Sequence, residues 1–359
     1  MTLVIGGPGQ VGGRGARLGA EVGYFSGWPK QARKNRHFLG DYNMLGNNSF
    51  TEAMRYGAAD SAVDRRTFIV TTGLAGGGLL LGAPGLAEAA RRPTLQSQVV
   101  SMVKHMRAQG KIRPDERTSW SVYDFTGGKK LVSINEEIPR QAASMIKPFV
   151  AQAFFYTAKD KGSRLRYTGS IRDTMELMIR KSNNAATNEI MQIVSRYNGN
   201  GGPRATEAVL KRHAASVYRQ TSIVEYIPAN GRTYRNKASA RDYSRFLYAL
   251  WNNRAPYSRE LLDLMALPNH DRITKGVRSM PSSVRVYDKT GSTARLCGNM
   301  GIIECRNSRG RPRPYTFIGV IEKSSRTSAY GTWITNRSNA MRQVSNLVYG
   351  YMNDQHHLA

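Results

Sequence analysis

The sequence predicts an α+β fold: one five-stranded antiparallel sheet flanked by the first and last helices, with an all-helical lobe inserted between the strands. Short alternating segments typical of strands occur early and late in the chain, and helical patterns fill the region between them. Amphipathic helices stand at both ends of this arrangement. Because strands from both ends share one sheet, we expect the middle, about residues 144–270, to form a separate lobe, with a cleft between the two parts.

The early part is predicted to form a helix and a hairpin. Residues Gln96–Gln109 place their apolar side chains on one side of a helix. Residues Trp120–Phe125 and Lys130–Ile134 alternate like strands, and Thr126-Gly127-Gly128 between them is typical of a hairpin turn.

The later elements begin with a strongly apolar helix over Ala143–Ala158. The other predicted elements are the helices Ile171–Lys181, Thr206–His213 and Ala238–Trp251, the strands Val284–Asp288, Met300–Glu304 and Tyr315–Glu322, and a final helix over Ser338–Tyr351.

Residues 54–90 have the features of an export signal. Arg65 and Arg66 precede a weakly apolar, glycine-rich stretch, and Ala87-Glu88-Ala89 has the small-x-small pattern of a cleavage site. The segment resembles a twin-arginine signal peptide, which implies export to the periplasm or cell envelope with the twin-arginine translocase as a transient partner. The glycine run Gly76–Gly78 makes the stretch a poor membrane span, so no stable span is predicted.

Residues 1–53 are predicted to be unstructured or an over-extended gene model, because Met54 opens a more ordinary signal than Met1 does. The string Gly7-Pro-Gly9-Gln-Val-Gly12 matches a dinucleotide-binding pattern, but the helix, strand and acidic residue of such a site do not follow. We therefore predict no cofactor, and a working domain over residues 91–359.

Composition narrows the range of partners. The formal net charge is +28, from 53 Lys and Arg against 25 Asp and Glu, which favours anionic partners such as acidic cell-wall polymers. The basic residues are scattered rather than grouped in a stripe with aromatics, so nucleic acid is not expected. Cys297 and Cys305 are either free thiols or one bridge. No histidine has a partner at ligand spacing, so no metal is expected.

Three short motifs carry the candidate chemistry. Ser144-Met-Ile-Lys147 begins the apolar helix, so Ser144 and Lys147 share one face about one turn apart. A lysine held among apolar residues can lose its proton and activate a serine hydroxyl, and a helix N-terminus favours an oxyanion. Ser182-Asn183-Asn184 closes a helix, and Lys289-Thr290-Gly291 lies on a strand.

The three motifs, in this order, resemble those of the penicillin-recognising serine enzymes, which include class A β-lactamases and D,D-carboxypeptidases. The resemblance covers most of residues 95–352. It implies an acyl-enzyme mechanism with a β-lactam or a D-Ala-D-Ala-type peptide as substrate. It also implies that Ser144 is the nucleophile, Lys147 its proton acceptor and Ser182 the relay that protonates the leaving nitrogen.

The resemblance further implies the substrate contacts. Asn184 would bind the amide of the acyl side chain and contact the lysine of the first motif. Lys289 would hold the Ser182 hydroxyl and attract the substrate carboxylate, which Thr290 and Ser292 would bind by hydrogen bonds.

Two further assignments concern the backbone. The N–H groups of Ser144 and Ser292 would form the oxyanion hole. Gly291 would let the substrate lie against the strand edge without meeting a side chain.

The chain departs from the family pattern within the second motif and before it. Asn183 stands where class A β-lactamases usually have Asp, and this difference slightly favours a carboxypeptidase over a β-lactamase. The gap of 38 residues from Ser144 to Ser182 is short for the family, so we expect the helical lobe to lack a connecting segment.

The most serious departure concerns the base that releases the acyl group. The Glu-x-x-x-Asn string of class A enzymes is absent, and alignment on Ile227-Pro228 puts Gln220 at the Glu position. Glu225 is the only acidic residue between Glu207 and Asp242, so it is the candidate base, with a surface carboxylate as the alternative.

Three functions remain open. The first is hydrolysis of β-lactams by an exported enzyme similar to a class A β-lactamase. The second is a D,D-carboxypeptidase or penicillin-binding protein acting on cell-wall peptides, which the missing Glu string favours. The third is a non-catalytic, polyanion-binding wall protein on the same scaffold, against which the complete set of two serines and two lysines argues.

Overall fold

The structure is a computed structural model that describes residues 93–359 except 231, 233 and 234. The predicted segments 1–53 and 54–90, with Arg65 and Arg66, lie outside the described residues. In chain order the helices and strands are α1 (Leu95–Ala108), β1 (Glu116–Asp124), β2 (Lys129–Ile134), β3 (Arg140–Gln141), α2 (Lys147–Lys161), α3 (Gly169–Ile179), α4 (Asn184–Tyr197), α5 (Pro203–Ala214), β4 (Lys237–Ala238), α6 (Ala240–Trp251), α7 (Ser258–Met265), β5 (Arg285–Thr293), β6 (Leu296–Arg306), β7 (Pro312–Lys323) and α8 (Tyr330–His356).

The main sheet has five antiparallel strands in the order β2-β1-β7-β6-β5. The early strand β1 pairs with the late strand β7, so strands from both ends of the domain share one sheet and the predicted α+β fold class is confirmed. A minor two-stranded ladder joins β3 and β4. Because β5 is an edge strand and extends to Thr293, the whole of the third motif lies on this edge.

The terminal helices α1 and α8 pack together, and a second hydrophobic core joins them to the sheet. Two buried residues of α8 bind the buried carboxylate of Glu116 at the start of β1: Trp333 Nε1 donates to Oε1 at 2.6 Å and Arg337 Nε donates at 2.8 Å. A buried charge is tolerated only with such partners. These contacts hold the first turns of α8, which begins at Tyr330 rather than at the predicted Ser338.

The helices α2–α7 form the middle of the chain, and α2 is their centre. Its residues from Lys147 to Ala158 are all buried, and α3, α5 and α4 pack against it. The residues of α2 are mostly apolar or small on every side, which is the pattern of a helix surrounded by others. Pro148 fits the first turn because the backbone N–H that it lacks would have no helical partner there.

Cys297 and Cys305 are free thiols, and both are buried on β6. Eight positions along an extended strand separate them by roughly 26 Å, so they cannot form a bridge within the chain. Of the two states that the sequence left open, the structure therefore has the free thiols. In the part of the chain that the structure describes, no helix combines the length and the apolar character that crossing a bilayer requires.

Candidate active site

Ser144 lies in a tight 3₁₀ turn, Ala143–Ile146, immediately before α2. Ala143 has a left-handed φ of 46°, and the preceding N–H of Ala142 donates to the backbone oxygen of Asn236 at 2.9 Å. Ser144 is partly exposed although its neighbours on both sides are buried. The predicted helix start is thus a strained turn that presents one hydroxyl, a feature that recurs at functional sites.

Two glycines make room for this turn. Gly291 on β5 and Gly298 on β6 are cross-strand partners. A Cβ at Gly291 would lie 3.0 Å from Met145 Cγ and 3.2 Å from Ala143 Cβ, and one at Gly298 would lie 2.6 Å from Met145 Cε. The space beside Gly291 is therefore filled by the turn that carries Ser144. This corrects the expectation that Gly291 lacks a side chain in order to admit the substrate.

Lys147 is fully buried at the start of α2. Its Nζ donates to the backbone oxygen of Ser182, to Ser182 Oγ at 3.2 Å and to Asn184 Oδ1 at 3.0 Å. Burial, reinforced by the positive charge of Lys289, lowers the pKa of Lys147 to about 6. The amine is therefore mostly neutral near pH 7. A neutral amine donates only two hydrogen bonds, so it keeps two of these three contacts as a donor and has a lone pair free to accept a proton. Among the hydrogen bonds of the described residues, none joins it to Ser144 Oγ; such bonds are often long before substrate binds.

The second motif forms the junction between α3 and α4. Ser182 has a left-handed φ of 56°, and both its oxygens accept hydrogen bonds from Lys147. Asn183 is the N-cap of α4, because its side chain accepts the N–H of Ala186 at 2.9 Å. Asp and Asn cap helices about equally well, so a capping role accommodates the departure from the family's Asp.

Lys289 on β5 is 3% exposed. Its Nζ donates to the backbone oxygen of Thr290 at 3.2 Å, and no hydrogen bond between described residues joins it to Ser182, contrary to expectation. Burial lowers the pKa of Lys289 to about 8, although the negative charge of Asp288 opposes this change. The lysine is still charged at neutral pH but has few partners, a state that an anionic ligand would stabilise.

Arg272 is a buried residue that sequence reasoning missed. Its Nη1 donates to the backbone oxygens of Gly298 at 2.6 Å and Gly291 at 3.2 Å, and its Nη2 donates to Ser292 Oγ at 2.6 Å. Its Nε donates to Ser338 Oγ at 2.9 Å. Arg272 therefore holds the two strands beside the Ser144 turn and orients the Ser292 hydroxyl. No local motif marks it, since the nearest of these partners in the chain is 19 positions away.

The predicted groups meet at a cavity of about 300 Å³. Its lining residues are Ser144, Ser182, Asn184, Ile227, Thr290, Ser292 and Tyr330. Lys147 is buried and contacts two of them, Ser182 and Asn184, while Lys289 contacts Thr290. Tyr330 is 47% exposed. The sequence analysis did not place Tyr330 in the site, because it predicted the last helix to begin at Ser338.

The structure brings the loop of the candidate base to the cavity, but not its carboxylate. Ile227 lines the cavity, whereas Glu225 does not. Glu225 Oε1 accepts the backbone N–H of Arg235 at 3.0 Å, which ties the two sides of this loop together. Gln220, at the aligned Glu position, donates to Glu137 at 2.7 Å. Among the described residues, none that lines this cavity carries a carboxylate.

This arrangement suits covalent acyl transfer. It combines a presented hydroxyl, a buried amine that is neutral near pH 7 and a lysine able to attract an anion. In residues 93–359, as far as the structure describes them, no group of three His, Cys, Asp or Glu side chains is placed to hold a metal ion.

The fold is that of β-lactamases and penicillin-binding proteins of known structure. A family model described as the Beta-lactamase enzyme family matches residues 163–352, more than half of the chain. The chain therefore belongs to the β-lactamase enzyme family. The matched segment includes the second and third motifs and begins after Ser144 and Lys147.

Several solved structures share this fold. PBP-A is 20% identical, with a TM-score of 0.55 over 72% of this chain and 96% of that chain. The class A β-lactamase of the last common ancestor of Gram-negative bacteria is 19% identical, with a TM-score of 0.53 over 72% and 98%. A β-lactamase from Desulfarculus baarsii is 14% identical, with a TM-score of 0.54 over 72% and 98%. Such likeness shows the fold alone. No curated protein matches the chain.

Proposed function

We propose that this protein is an active-site-serine hydrolase that forms an acyl-enzyme on Ser144 with β-lactams or D-Ala-D-Ala-type peptides. The observation that carries the proposal is the state of Lys147. It is buried, is held by Ser182 and Asn184, and has a pKa lowered to about 6. Burying an amine is costly, and a neutral lysine beside a presented serine is a competent base.

The reaction begins when neutral Lys147 accepts the proton of Ser144. Ser144 Oγ then forms a bond with the substrate carbonyl carbon, and the C–N bond of the substrate breaks. The leaving nitrogen receives a proton through Ser182, whose Oγ lies 3.2 Å from Lys147 Nζ. The backbone N–H groups of Ser144 and Ser292 stabilise the oxyanion.

The remaining groups bind the substrate. Asn184 binds the amide of the acyl side chain, and Thr290 and Ser292 bind the carboxylate. Lys289 attracts that carboxylate by its charge. Arg272, whose Nη2 donates to Ser292 Oγ at 2.6 Å, keeps this hydroxyl in place.

Release of the acyl group is proposed to be slow, so that the protein behaves towards β-lactams as a penicillin-binding D,D-peptidase. Hydrolysis of the ester needs a base that activates a water, and the described lining of the cavity has no carboxylate. A PBP-A variant has been solved as an acyl-enzyme complex with penicillin G, which supports the same chemistry here.

The second candidate is rapid β-lactam hydrolysis of the class A type, with Glu225 as the base. The observation in its favour is the position of Ile227, which lines the cavity. Asn188 accepts the N–H of Ile227 at 2.8 Å and donates to its backbone oxygen at 2.7 Å, which fixes this part of the loop. Glu225 precedes Ile227 by two residues, so a water could connect its carboxylate to the ester.

Labelling with a fluorescent penicillin tests both candidates. A lasting label on the wild type and no label on Ser144→Ala supports the slow-release peptidase. A label that is released quickly, and about 10²–10⁴-fold more slowly in Glu225→Gln, supports the β-lactamase. No label on the wild type contradicts both and favours the non-catalytic wall-binding scaffold. An equal label on Ser144→Ala contradicts the assignment of Ser144 as the nucleophile.

We also propose that the protein is exported by the twin-arginine pathway. This proposal is supported by Arg65-Arg66 and by the Ala87-Glu88-Ala89 pattern. N-terminal sequencing of protein from the cell-envelope fraction should find a start near Arg91. A cytosolic chain that still begins at Met1 would contradict export.

A further inference from the structure

A second cavity, of about 410 Å³, opens beside the active-site cavity. The two cavities share Ser182 and Thr290, whereas Asn184 and Ile227 line the active-site cavity alone. The other lining residues of the second cavity are Arg180, Lys181, Pro268, Asn269, His270, Lys275 and Lys289. We call this cavity the basic annex. It adjoins the leaving-group end of the site, since Ser182 serves the leaving group and Thr290 the carboxylate.

Three lysines from three segments face no acidic partner in the basic annex. Lys181 follows α3, Lys275 precedes β5, and Lys289 is on β5. Lys275 Nζ donates to the backbone oxygen of Asn269, and Lys289 Nζ donates to that of Thr290. In the described part of the chain none of the three lysines forms an ion pair, and no carboxylate lines the annex.

The carboxylates nearest in the sequence to the annex residues are already satisfied elsewhere. Asp271 accepts the backbone N–H groups of Ile273 at 2.8 Å and of Lys275 at 3.2 Å. Asp288 accepts from the side-chain amides of Asn269 at 2.8 Å and Asn299 at 2.7 Å. Both carboxylates are buried and lie outside the lining of the annex. Asp288 raises the pKa of the adjacent Lys289, but no ion pair in the described part of the chain joins either carboxylate to Lys181 or Lys275.

A third acid, Glu176, pairs with Arg180 at 2.9 Å, so in the described part of the chain Lys181 and Lys275 remain without an ion pair. Asn269 supplies a second, independent sign of a missing ligand. Its Nδ2 is fixed by Asp288, and its Oδ1 is buried with no hydrogen-bond partner among the described residues. A buried polar atom without a partner is costly unless a ligand or an ordered water satisfies it.

We infer that the basic annex binds a second anionic group on the leaving-group side of the substrate. The preferred leaving unit is then a dicarboxylic one, such as a D-residue with an acidic side chain. Its first carboxylate lies at Thr290, and its second enters the annex between Lys181 and Lys275. An ordered water on this anion donates to Asn269 Oδ1. The inference rests on the proposed function, because it names the substrate class of the same site.

Two ester substrates with one acyl part test the inference. In both, phenylacetylglycine is esterified to a hydroxy acid: D-lactate, with one carboxylate, or D-malate, with two. In each reaction the Ser144 Oγ–carbon bond forms, the ester C–O bond breaks, and the hydroxy acid leaves with the proton. The readout is the ratio of the two acylation efficiencies, malate over lactate, at low and high salt.

The wild type should favour the malate ester by about tenfold at low salt, the worth of one charge-assisted contact after partial screening by solvent. The ratio should fall towards one at high salt and in the double variant Lys181→Gln, Lys275→Gln. Lys104→Gln, which removes an exposed charge on α1, should keep the wild-type ratio. A ratio near one in the wild type, or one that the double variant does not change, overturns the inference.

A binding measurement separates this inference from the proposed function. Ser144→Ala protein is titrated calorimetrically with free D-malate and free D-lactate, with and without the two lysine substitutions. Tighter binding of malate that depends on these lysines supports the annex even if penicillin never labels Ser144. Penicillin labelling together with equal binding of the two anions leaves the proposed function standing and refutes the annex.

Discussion

Acylation of Ser144 should have a bell-shaped dependence on pH with its maximum near 7. The rising limb reports Lys147, whose pKa burial lowers to about 6, since only the neutral amine accepts the serine proton. The falling limb reports Lys289, whose pKa burial lowers to about 8, since only the charged amine attracts the substrate carboxylate. Activity is therefore lost as the pH falls through 6 and as it rises through 8.

The magnitude follows from the pKa of Lys147. At pH 7 a lysine with a pKa of about 6 is about 90% neutral, whereas one with the ordinary value of 10.5 is about 0.03% neutral. Burial in the helical lobe thus supplies about 3,000-fold more base. Below pH 6 the acylation efficiency should fall about tenfold for each pH unit.

The assay is the second-order rate of penicillin labelling between pH 4.5 and 9.5, which reports the free enzyme. Lys289→Ala should remove the falling limb. It should also move the rising limb to higher pH, because the charge of Lys289 helps to lower the pKa of Lys147. Loss of its contact should cost about 1.5–3 kcal/mol, or roughly ten- to a hundredfold in acylation efficiency. Lys104→Ala, the matched loss of charge on α1, should keep the wild-type profile.

Three results would refute this reasoning. One is a labelling rate that is flat between pH 5 and 8. Another is a rising inflection near pH 10, which would mean that Lys147 is an ordinary lysine. The last is a Lys289→Ala profile that superimposes on that of the wild type, which would remove Lys289 from the site.

The remaining predictions concern residues around the Ser144 turn and in the sheet. Gly291→Ala should lower stability by about 1–3 kcal/mol, because the new Cβ lies 3.0 Å from Met145, and should slow acylation by about tenfold; wild-type denaturation and labelling would contradict this. Arg272→Lys keeps the charge but cannot reach all three acceptors of the guanidinium on β5 and β6, so it should lower the free energy of unfolding by about 1–3 kcal/mol. An unchanged denaturation midpoint would refute this role of Arg272. Cys297 and Cys305 should react with a thiol reagent only after unfolding, because both are buried free thiols. A native mass 2 Da lower than that of the reduced chain would show that they form a disulfide and would contradict this prediction.

Much of the fold could be predicted because its elements have clear local periods. The alternating segments early and late in the chain became β1, β2, β5, β6 and β7, and the apolar segment before Ala158 became α2. The start of the last helix was placed too late. Residues 330–337 show little apolar period, and they are held instead by the contacts of Trp333 and Arg337 with Glu116, more than two hundred positions away.

In the candidate site too, some residues could be predicted from local sequence and others depend on distant contacts. Ser144, Ser182, Asn184, Thr290 and Ser292 were predicted from motif order, and the structure places all five around one cavity. These residues belong to short motifs on single elements, so their types and spacing in the chain are enough to mark them.

The residues that act through distant contacts could be identified only from the tertiary structure. Glu225 does not line the cavity, and its carboxylate accepts the backbone N–H of Arg235. Arg272 reaches both Gly291 and Gly298, and the lowered pKa of Lys147 exists only because the lobe buries it. The sequence by itself determined the fold class and which serines and lysines were candidates, because these depend on local period and spacing. Protonation states, orientation and the basic annex depend on side chains brought together from remote segments, which only packing can specify.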